Sequence, residues 1–227
     1  MFDVFFDKWW RVGGVAGILY LVMFIIGIIL QGGPPNFDDP VDEIQGWFTD
    51  NGKQYIAGNY LIGLGFVLFF LPFLSSLRGL LAAAEGGAAV WSRVAFAAGL
   101  AFLILGAAAS SFQGALAFGF GVVEEGDEAT IRTLMYLDYY AFSGTLPLVV
   151  TPLFLASSLV ILRTGVLWRW LAVLGLVVAI GALIGGLTPL DSDSEGIAFI
   201  SFIAIAAWVL LVSIAMIMKR DAPASAA

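Results

Sequence analysis

The chain contains several apolar runs of about 18 residues or more that carry few or no charges. Each run is long enough to cross a hydrocarbon core of about 30 Å as an α-helix, which satisfies its own backbone hydrogen bonds inside lipid. The composition agrees, because 61% of the 227 residues are hydrophobic, 12% are charged and the mean hydropathy is +0.99. The sequence therefore predicts an all-α, polytopic integral membrane protein.

Hydropathy predicts six transmembrane helices in one domain, which we expect to form three consecutive hairpins. The third apolar run continues to Val123, so we expect its helix to tilt, to project from the membrane, or to break at Gly114 or Gly119. The predicted spans are 11–31, 54–76, 91–115, 141–163, 167–187 and 197–218, followed by a short tail at 219–227.

The charges near the span ends predict the orientation. Most cations fall on one side of this topology: Lys8, Arg11, Arg78, Arg93, Arg163, Arg169, Lys219 and Arg220. Only Lys53 and Arg132 fall on the other side, with most of the acids. The positive-inside rule then predicts a multi-pass protein of the cytoplasmic (inner) membrane, with both termini and the tail cytoplasmic and the acidic loops outside. Because the first apolar run lacks a small-residue cleavage site, we interpret it as a retained signal anchor.

The sequence contains no cysteine and no histidine. Disulfides, thiolate or imidazole metal ligation and Ser-His-Asp or Cys-His catalysis are therefore excluded. No Lys, Arg, Asp or Glu falls in the middle of a predicted span, which disfavours an ion-coupled pump with a buried carboxylate. We expect no cofactor and no nucleic-acid partner.

Three segments repeat weakly along the chain. Tryptophan stands near arginine in WWR at 9–11, WSR at 91–93 and WRW at 168–170, and PFLSSL at 72–77 resembles PLFLASSL at 152–159. A parallel repeat about an axis along the membrane normal is one interpretation. The other is that Trp and Arg are the residues expected at any cytoplasmic interface.

The stretch PPNFDDPVDEIQGWF at 34–48 is both acidic and amphipathic. We expect Asp39 to cap a helix that has Pro40 at its first position and ends at Asn51 and Gly52. Its apolar face predicts a helix lying on the outer leaflet and consists of Val41, Ile44, Trp47 and Phe48. In the next loop we expect Asp127 to cap a helix in which Glu128 and Arg132 form an i,i+4 pair.

The acids at 38–43 and 191–195 are loosely compatible with a divalent-cation site, because calcium binds carboxylate oxygens. The alternative is that these acids are simply solvated on an outer surface. The metal-ligating residues, if any, are unknown from the sequence.

Polar residues cluster at a similar depth near the outer ends of the second, third and fourth spans. They predict a shallow ligand-binding pocket that opens to the outer leaflet, or else hydrogen bonds between helices together with interfacial tyrosines. The residues are Asn59, Tyr60, Ser110, Ser111, Gln113, Asp138, Tyr139 and Tyr140. Pro147 and Pro152 make the fourth span the best candidate for a broken or hinged helix, and a static kink, which membrane bundles tolerate well, is the other interpretation.

Two segments, RVGGVAGILYLVMFIIGI at 11–28 and LRTGVLWRWLAVLGLVVAIGALIG at 162–185, resemble the first and fifth spans of bacterial polytopic families of unknown function. With LDYYAFSGTLPL at 137–148, the layout is similar to that of small six-helix membrane proteins frequent in actinobacteria. The resemblance implies a six-helix inner-membrane protein and carries over no catalytic residue.

These observations favour a non-enzymatic accessory, scaffold or lipid-contacting subunit of a membrane assembly. Small residues in GGVAG at 13–17 and GALIGG at 181–186 allow close helix approach, and so a membrane-protein partner or a homo-oligomer within the lipid bilayer. A small transporter or channel with a proline-broken fourth helix is one alternative. A membrane enzyme that uses a divalent metal bound by the acidic loops is another.

Overall fold

A computed structural model describes residues 8–117, 127–187 and 195–219, and the side chains from Ile200 within the last of these ranges. The described residues are all-helical, without a strand among them, and six helices are long and apolar enough to cross a membrane. The predicted fold class is confirmed to that extent. The helices are α1 Trp9–Gln31, α2 Val41–Glu85, α3 Val90–Ala117, α4 Glu128–Thr164, α5 Arg169–Leu187 and α6 Glu195–Met218.

Some predicted features lie outside the described residues. They include the possible break at Gly119, two acids of the second acidic loop (Glu124 and Glu125), the acids of the third (Asp191, Asp193 and the side chain of Glu195), and residues 220–227 of the predicted tail. The other proposed break, at Gly114, is wrong, because α3 continues through Gly114 to Ala117 as one helix.

Each helix packs against the next one along the chain, and α6 returns to pack against α1. The two ends of this ring are recognised by their contacts. At the Trp9 end, an Arg11 guanidinium nitrogen, Nη2, donates to the Lys219 carbonyl at 3.3 Å, and Lys219 Nζ donates to the Val166 carbonyl at 3.2 Å. At the Asp138 end, α1, α3 and α4 meet through Gln31, Gln113 and Asp138.

Glycines determine where α1 meets its neighbours. Near the Trp9 end, Gly14 and Gly17 lie so close to Ser213 of α6 that neither position has room for a side chain. Near the other end, Gly27 and Gly58 bring the backbones of α1 and α2 together. Such close contacts allow helices to pack tightly inside lipid, where there is little hydrophobic force between them.

The helices α2 and α4 are much longer than the predicted spans 54–76 and 141–163. Their 45 and 37 residues correspond to about 68 and 56 Å at 1.5 Å per residue, whereas the hydrocarbon core is about 30 Å thick. The excess lies mainly at the Asp138 end, where it forms a second, smaller apolar core. The buried residues of this core are Ile44, Phe48, Tyr55, Leu116, Ile131 and Met135.

The second core overturns the prediction that 34–48 forms a separate helix on the outer leaflet. Ile44 and Phe48 pack against the chain itself, and the helix continues through Asn51 and Gly52 into the membrane span. Gly52 is needed for packing, because a side chain there would meet the Ala117 carbonyl oxygen at 2.9 Å. The Asp39 carboxylate does not cap α2, since it accepts a hydrogen bond from the Asn36 amide at 2.7 Å, while Pro40 occupies the N-cap position.

The start of α4 follows the prediction. Asp127 caps the helix by accepting a hydrogen bond from the Thr130 amide at 2.8 Å, and Glu128 pairs with Arg132 at 2.7 Å. Hydrogen bonds from the Thr130 hydroxyl and amide lower the pKa of Asp127 from its ordinary value, because they stabilise the charged carboxylate. Arg132 Nη1 also donates to the Phe37 carbonyl at 2.8 Å, which ties α4 to the segment before α2.

Both long helices contain a π-helical segment directly before a Leu-Pro pair. The segments are Phe66–Phe70, before Leu71 and Pro72, and Tyr140–Thr145, before Leu146 and Pro147. A wider turn accommodates the ring and the missing amide hydrogen of proline without ending the helix. The fourth span is therefore not broken at Pro147 or Pro152, and whether these prolines act as a hinge stays a prediction.

Candidate functional site

Three polar side chains connect α1, α3 and α4 at the Asp138 end of the bundle. Gln31 Nε2 donates to Gln113 Oε1 at 3.2 Å, and Gln113 Nε2 approaches Asp138 Oδ2 at 3.5 Å. The other carboxyl oxygen, Asp138 Oδ1, is buried without a hydrogen-bond partner. The chain of contacts thus ends on a buried carboxyl oxygen that has no hydrogen-bond partner in the protein.

A second pair links α2 to α3 beside this chain. Asn59, only 8% exposed, donates from Nδ2 to the Ser110 carbonyl at 2.9 Å, while its Oδ1 is buried without a partner. The Ser110 hydroxyl donates to the Gly106 carbonyl at 2.9 Å within its own helix. We call Gln31, Asn59, Ser110, Gln113 and Asp138 the polar cluster.

The structure thus brings together four of the eight residues of the predicted polar layer, and the others lie elsewhere. Tyr60 and Tyr140 lie on the outside of the bundle, where they are 61% and 54% exposed. The Ser111 hydroxyl donates to a carbonyl of its own helix. Tyr139 packs against Phe37, with ring centroids 4.7 Å apart, so it belongs to the contact between α4 and the segment before α2.

An apolar cavity of about 700 Å³ runs from the polar cluster toward the middle of the bundle. Gln31, Ser110 and Gln113 line its polar end. The rest of the wall comes from aromatic and aliphatic side chains of α1, α2, α3, α4 and α6, including Tyr20, Phe66, Phe102, Phe142 and Phe202. The site is therefore an apolar chamber with hydrogen-bonding groups at one end.

The cavity lies beside a seam between α1 and α6. These helices touch at Gly14 and Gly17, near the Trp9 end, and the cavity lies between their other halves. Residues of both helices line the cavity and are also exposed on the outside of the described bundle, for example Ile25 and Ile29 of α1 and Ile203 of α6. Within the described residues, the cavity is therefore open sideways, toward the surface that would face lipid.

Gln31 was not among the predicted site residues, although its position gave a signal. It is the polar last residue of the apolar run 11–31, at the same depth as the other members of the polar cluster. Gly106 was also missed. A Cβ atom added there would have no neighbour closer than Phe66 Cζ at 3.9 Å, and Gly106 itself lines the cavity.

Among the described residues, no group of three or more Asp, Glu, His or Cys side chains has a geometry that could hold a metal ion. The acids at Asp191 and Asp193, which belonged to the predicted cation site, lie outside those residues.

Comparisons with models of protein families, with curated proteins and with solved structures find no match to this chain. The function is therefore inferred from the cavity and the polar cluster themselves.

Proposed function

We propose that the protein is a non-enzymatic, lipid-contacting membrane protein that holds one lipid chain between its helices, as an accessory or scaffold subunit of a membrane assembly. The observation that carries this proposal is the apolar cavity of about 700 Å³ with a sideways opening between α1 and α6. Most binding pockets are apolar chambers with a few converging polar groups, and this cavity has that character.

The size of the cavity favours a single chain. A group the size of a water molecule occupies about 30 Å³, so a cavity of about 700 Å³ holds on the order of 20 such groups. That is enough for one long acyl or isoprenoid chain and too little for two. The exposed wall residues Ile25, Ile29 and Ile203 would let such a chain enter from the bilayer without passing through water.

The substitution Gly106→Leu tests this proposal, because Gly106 lines the cavity and a Cβ atom there meets nothing closer than Phe66 Cζ at 3.9 Å. The matched control is Gly181→Leu on α5, a helix that does not line the cavity, at a position with no neighbour within 4 Å. Native mass spectrometry of protein released from membranes should show about one bound lipid for the unsubstituted protein and the control, and nearly none for Gly106→Leu. Equal lipid occupancy in all three, or none in the unsubstituted protein, would refute the proposal.

The topology forms part of the same proposal. We place both termini in the cytoplasm, the helices as three hairpins in the cytoplasmic membrane, and the acidic segment 34–48 outside, because the cations concentrate at the Trp9 end. The chain has no cysteine, so single introduced cysteines report cleanly on accessibility. An impermeant thiol reagent should label Thr49→Cys from outside intact cells and should label Ala88→Cys only after lysis. The opposite pattern would invert the topology.

A small transporter is a second candidate, favoured by the π-helical segments of α2 and α4. Such segments are frequent at functional sites and can rearrange within a helix. Alternating access predicts that Ser110→Cys in the cavity wall is labelled by a small thiol reagent from each side of the membrane in turn. Labelling from neither aqueous side favours the lipid-holding function.

A further inference from the structure

A second, smaller pocket lies at the Trp9 end of the bundle, opposite the polar cluster. Its volume is about 350 Å³, and its wall is formed by the turn 165–168 between α4 and α5 and by Ala215, Met218 and Lys219 at the end of α6. Trp168 and Met218 are 41% and 61% exposed, so the pocket opens on the outside of the described bundle. Tryptophan is typical of the boundary between lipid chains and head groups, which places this opening at the depth of the head groups.

Lys219 brings a positive charge into the wall of this pocket. Its ammonium group donates to the Val166 carbonyl at 3.2 Å, and both residues line the pocket. An ammonium group has three donors, so two remain, and a neutral carbonyl does not balance the charge. Within the part of the chain that the structure describes, no carboxylate pairs with Lys219. The pocket therefore offers an unbalanced cation with donors to spare.

The charges around the pocket also favour an anionic ligand. Most cations of the described residues lie at this end, where Glu85 is the one described acid, and its carboxylate is engaged by Ser92 and by two backbone amides at the start of α3. Trp168 directly precedes α5, whose first backbone amides add partial positive charge beside the pocket. Basic pockets between helices near the membrane surface suit the head groups of anionic lipids.

We propose that this pocket binds the phosphate group of an anionic phospholipid, such as phosphatidylglycerol. The phosphate accepts hydrogen bonds from the Lys219 ammonium group, and the acyl chains pack on the exposed apolar surface of the bundle. At about 30 Å³ for a group the size of a water molecule, the pocket holds on the order of ten such groups, which is the size of one glycerol phosphate. This site is separate from the apolar cavity and goes beyond the proposed lipid-holding function.

The test varies the head group in an intact bilayer, because a head group held at the surface by one ammonium group is lost when detergent replaces the lipid. The protein is placed in phosphatidylcholine nanodiscs with increasing fractions of dioleoylphosphatidylglycerol, and thermal unfolding is followed. Nanodiscs expose both faces, so the result does not depend on the orientation in the cell. Phosphatidylglycerol should raise the unfolding temperature with a saturating dependence on its fraction. No shift, or a shift that never saturates, would overturn the proposal.

The variant Lys219→Gln removes the charge from the pocket, and the exposed Arg93→Gln on α3 is the matched control with the same charge change at the same end. Losing a charge-assisted hydrogen bond weakens binding about tenfold, so Lys219→Gln should raise the half-saturating fraction of phosphatidylglycerol by about that factor. Arg93→Gln should change it less than about twofold, because solvent and salt screen an exposed charge. Lys219→Arg keeps the charge and should match the unsubstituted protein. Equal effects of Lys219→Gln and Arg93→Gln would show diffuse attraction in place of a site.

Two further measurements distinguish this site from a site for free phosphate and from the cavity. Soluble glycerol 3-phosphate, added to pure phosphatidylcholine nanodiscs, should leave the unfolding temperature unchanged, whereas a shift as large as that from phosphatidylglycerol would overturn the lipid assignment. Gly106→Leu, in the cavity wall, should keep the response to phosphatidylglycerol, and loss of that response would place the anionic lipid in the cavity and overturn the proposal. The lipid-holding function stands or falls separately, by the chain retained in the cavity.

Discussion

The crossing of α1 and α2 at Gly27 and Gly58 gives the most quantitative prediction about this bundle. A methyl group added at Gly58 would lie 2.5 Å from the Gly27 carbonyl oxygen and 2.9 Å from the Gln31 amide nitrogen. Ordinary van der Waals contact begins near 3.4 Å, and both obstacles are backbone atoms that cannot rotate away. In Gly58→Ala the two helices must therefore move apart by about 0.5–1 Å, and overpacking of this kind costs about 1–3 kcal/mol.

The matched control is Gly63→Ala on the same helix, where the added methyl group has no neighbour within 4 Å. Both substitutions gain about 1 kcal/mol of helix propensity, so that term cancels between them. We expect Gly58→Ala to be less stable than Gly63→Ala by about 1–3 kcal/mol in the free energy of unfolding, the overpacking cost alone. Titration with a denaturing detergent measures both. Stabilities within about 0.5 kcal/mol of each other would show that the helices do not meet at Gly58.

Two further substitutions test other contacts by the same unfolding assay. Trp208→Phe removes a buried hydrogen bond from Nε1 to the Leu171 carbonyl at 3.1 Å and part of a fully buried ring, so it should cost about 2–4 kcal/mol. The exposed Trp170→Phe should cost less than about 0.5 kcal/mol, and similar values for the two would contradict the buried position of Trp208. Glu85→Ala removes a carboxylate that caps α3 by accepting hydrogen bonds from the Trp91 and Ser92 amides at 2.9 Å each. The substitution should lower the free energy of unfolding by about 0.5–2 kcal/mol. An unchanged free energy of unfolding would mean that the cap is not formed in solution.

The sequence was sufficient wherever a feature depends on neighbouring residues or on depth in the membrane. The cap at Asp127 and the pair of Glu128 with Arg132 are set within one helical turn, and both were predicted. Depth alone placed Asn59, Ser110, Gln113 and Asp138 in one polar layer. Which of them meet, Asn59 with Ser110 and Gln113 with Asp138, is seen only in the structure.

Prediction failed where the outcome depended on a partner far along the chain. Asn51 and Gly52 are typical of a helix end, yet Gly52 lies within α2, where it lets the Ala117 carbonyl approach closely. The apolar face at Ile44 and Phe48 has the same pattern whether it faces lipid or protein. Only the position of Ile131 and Met135 on α4 decides that it packs against protein.

The structure also bears on the internal repetition. The two Leu-Pro pairs that follow π-helical segments, at Leu71 and Leu146, lie 75 positions apart. The serines that pack against glycines of a neighbouring helix, Ser76 against Gly13 and Ser158 against Gly175, lie 82 positions apart. In a strict repeat, the Leu-Pro pair and the serine would each recur after the same number of residues. The two spacings found here differ by about two helical turns, so the Leu-Pro pair and the serine keep the same relative position around the helix axis. Close packing against a neighbouring glycine can be met at any turn of that face, so packing alone is sufficient to account for the serines shared by PFLSSL and PLFLASSL.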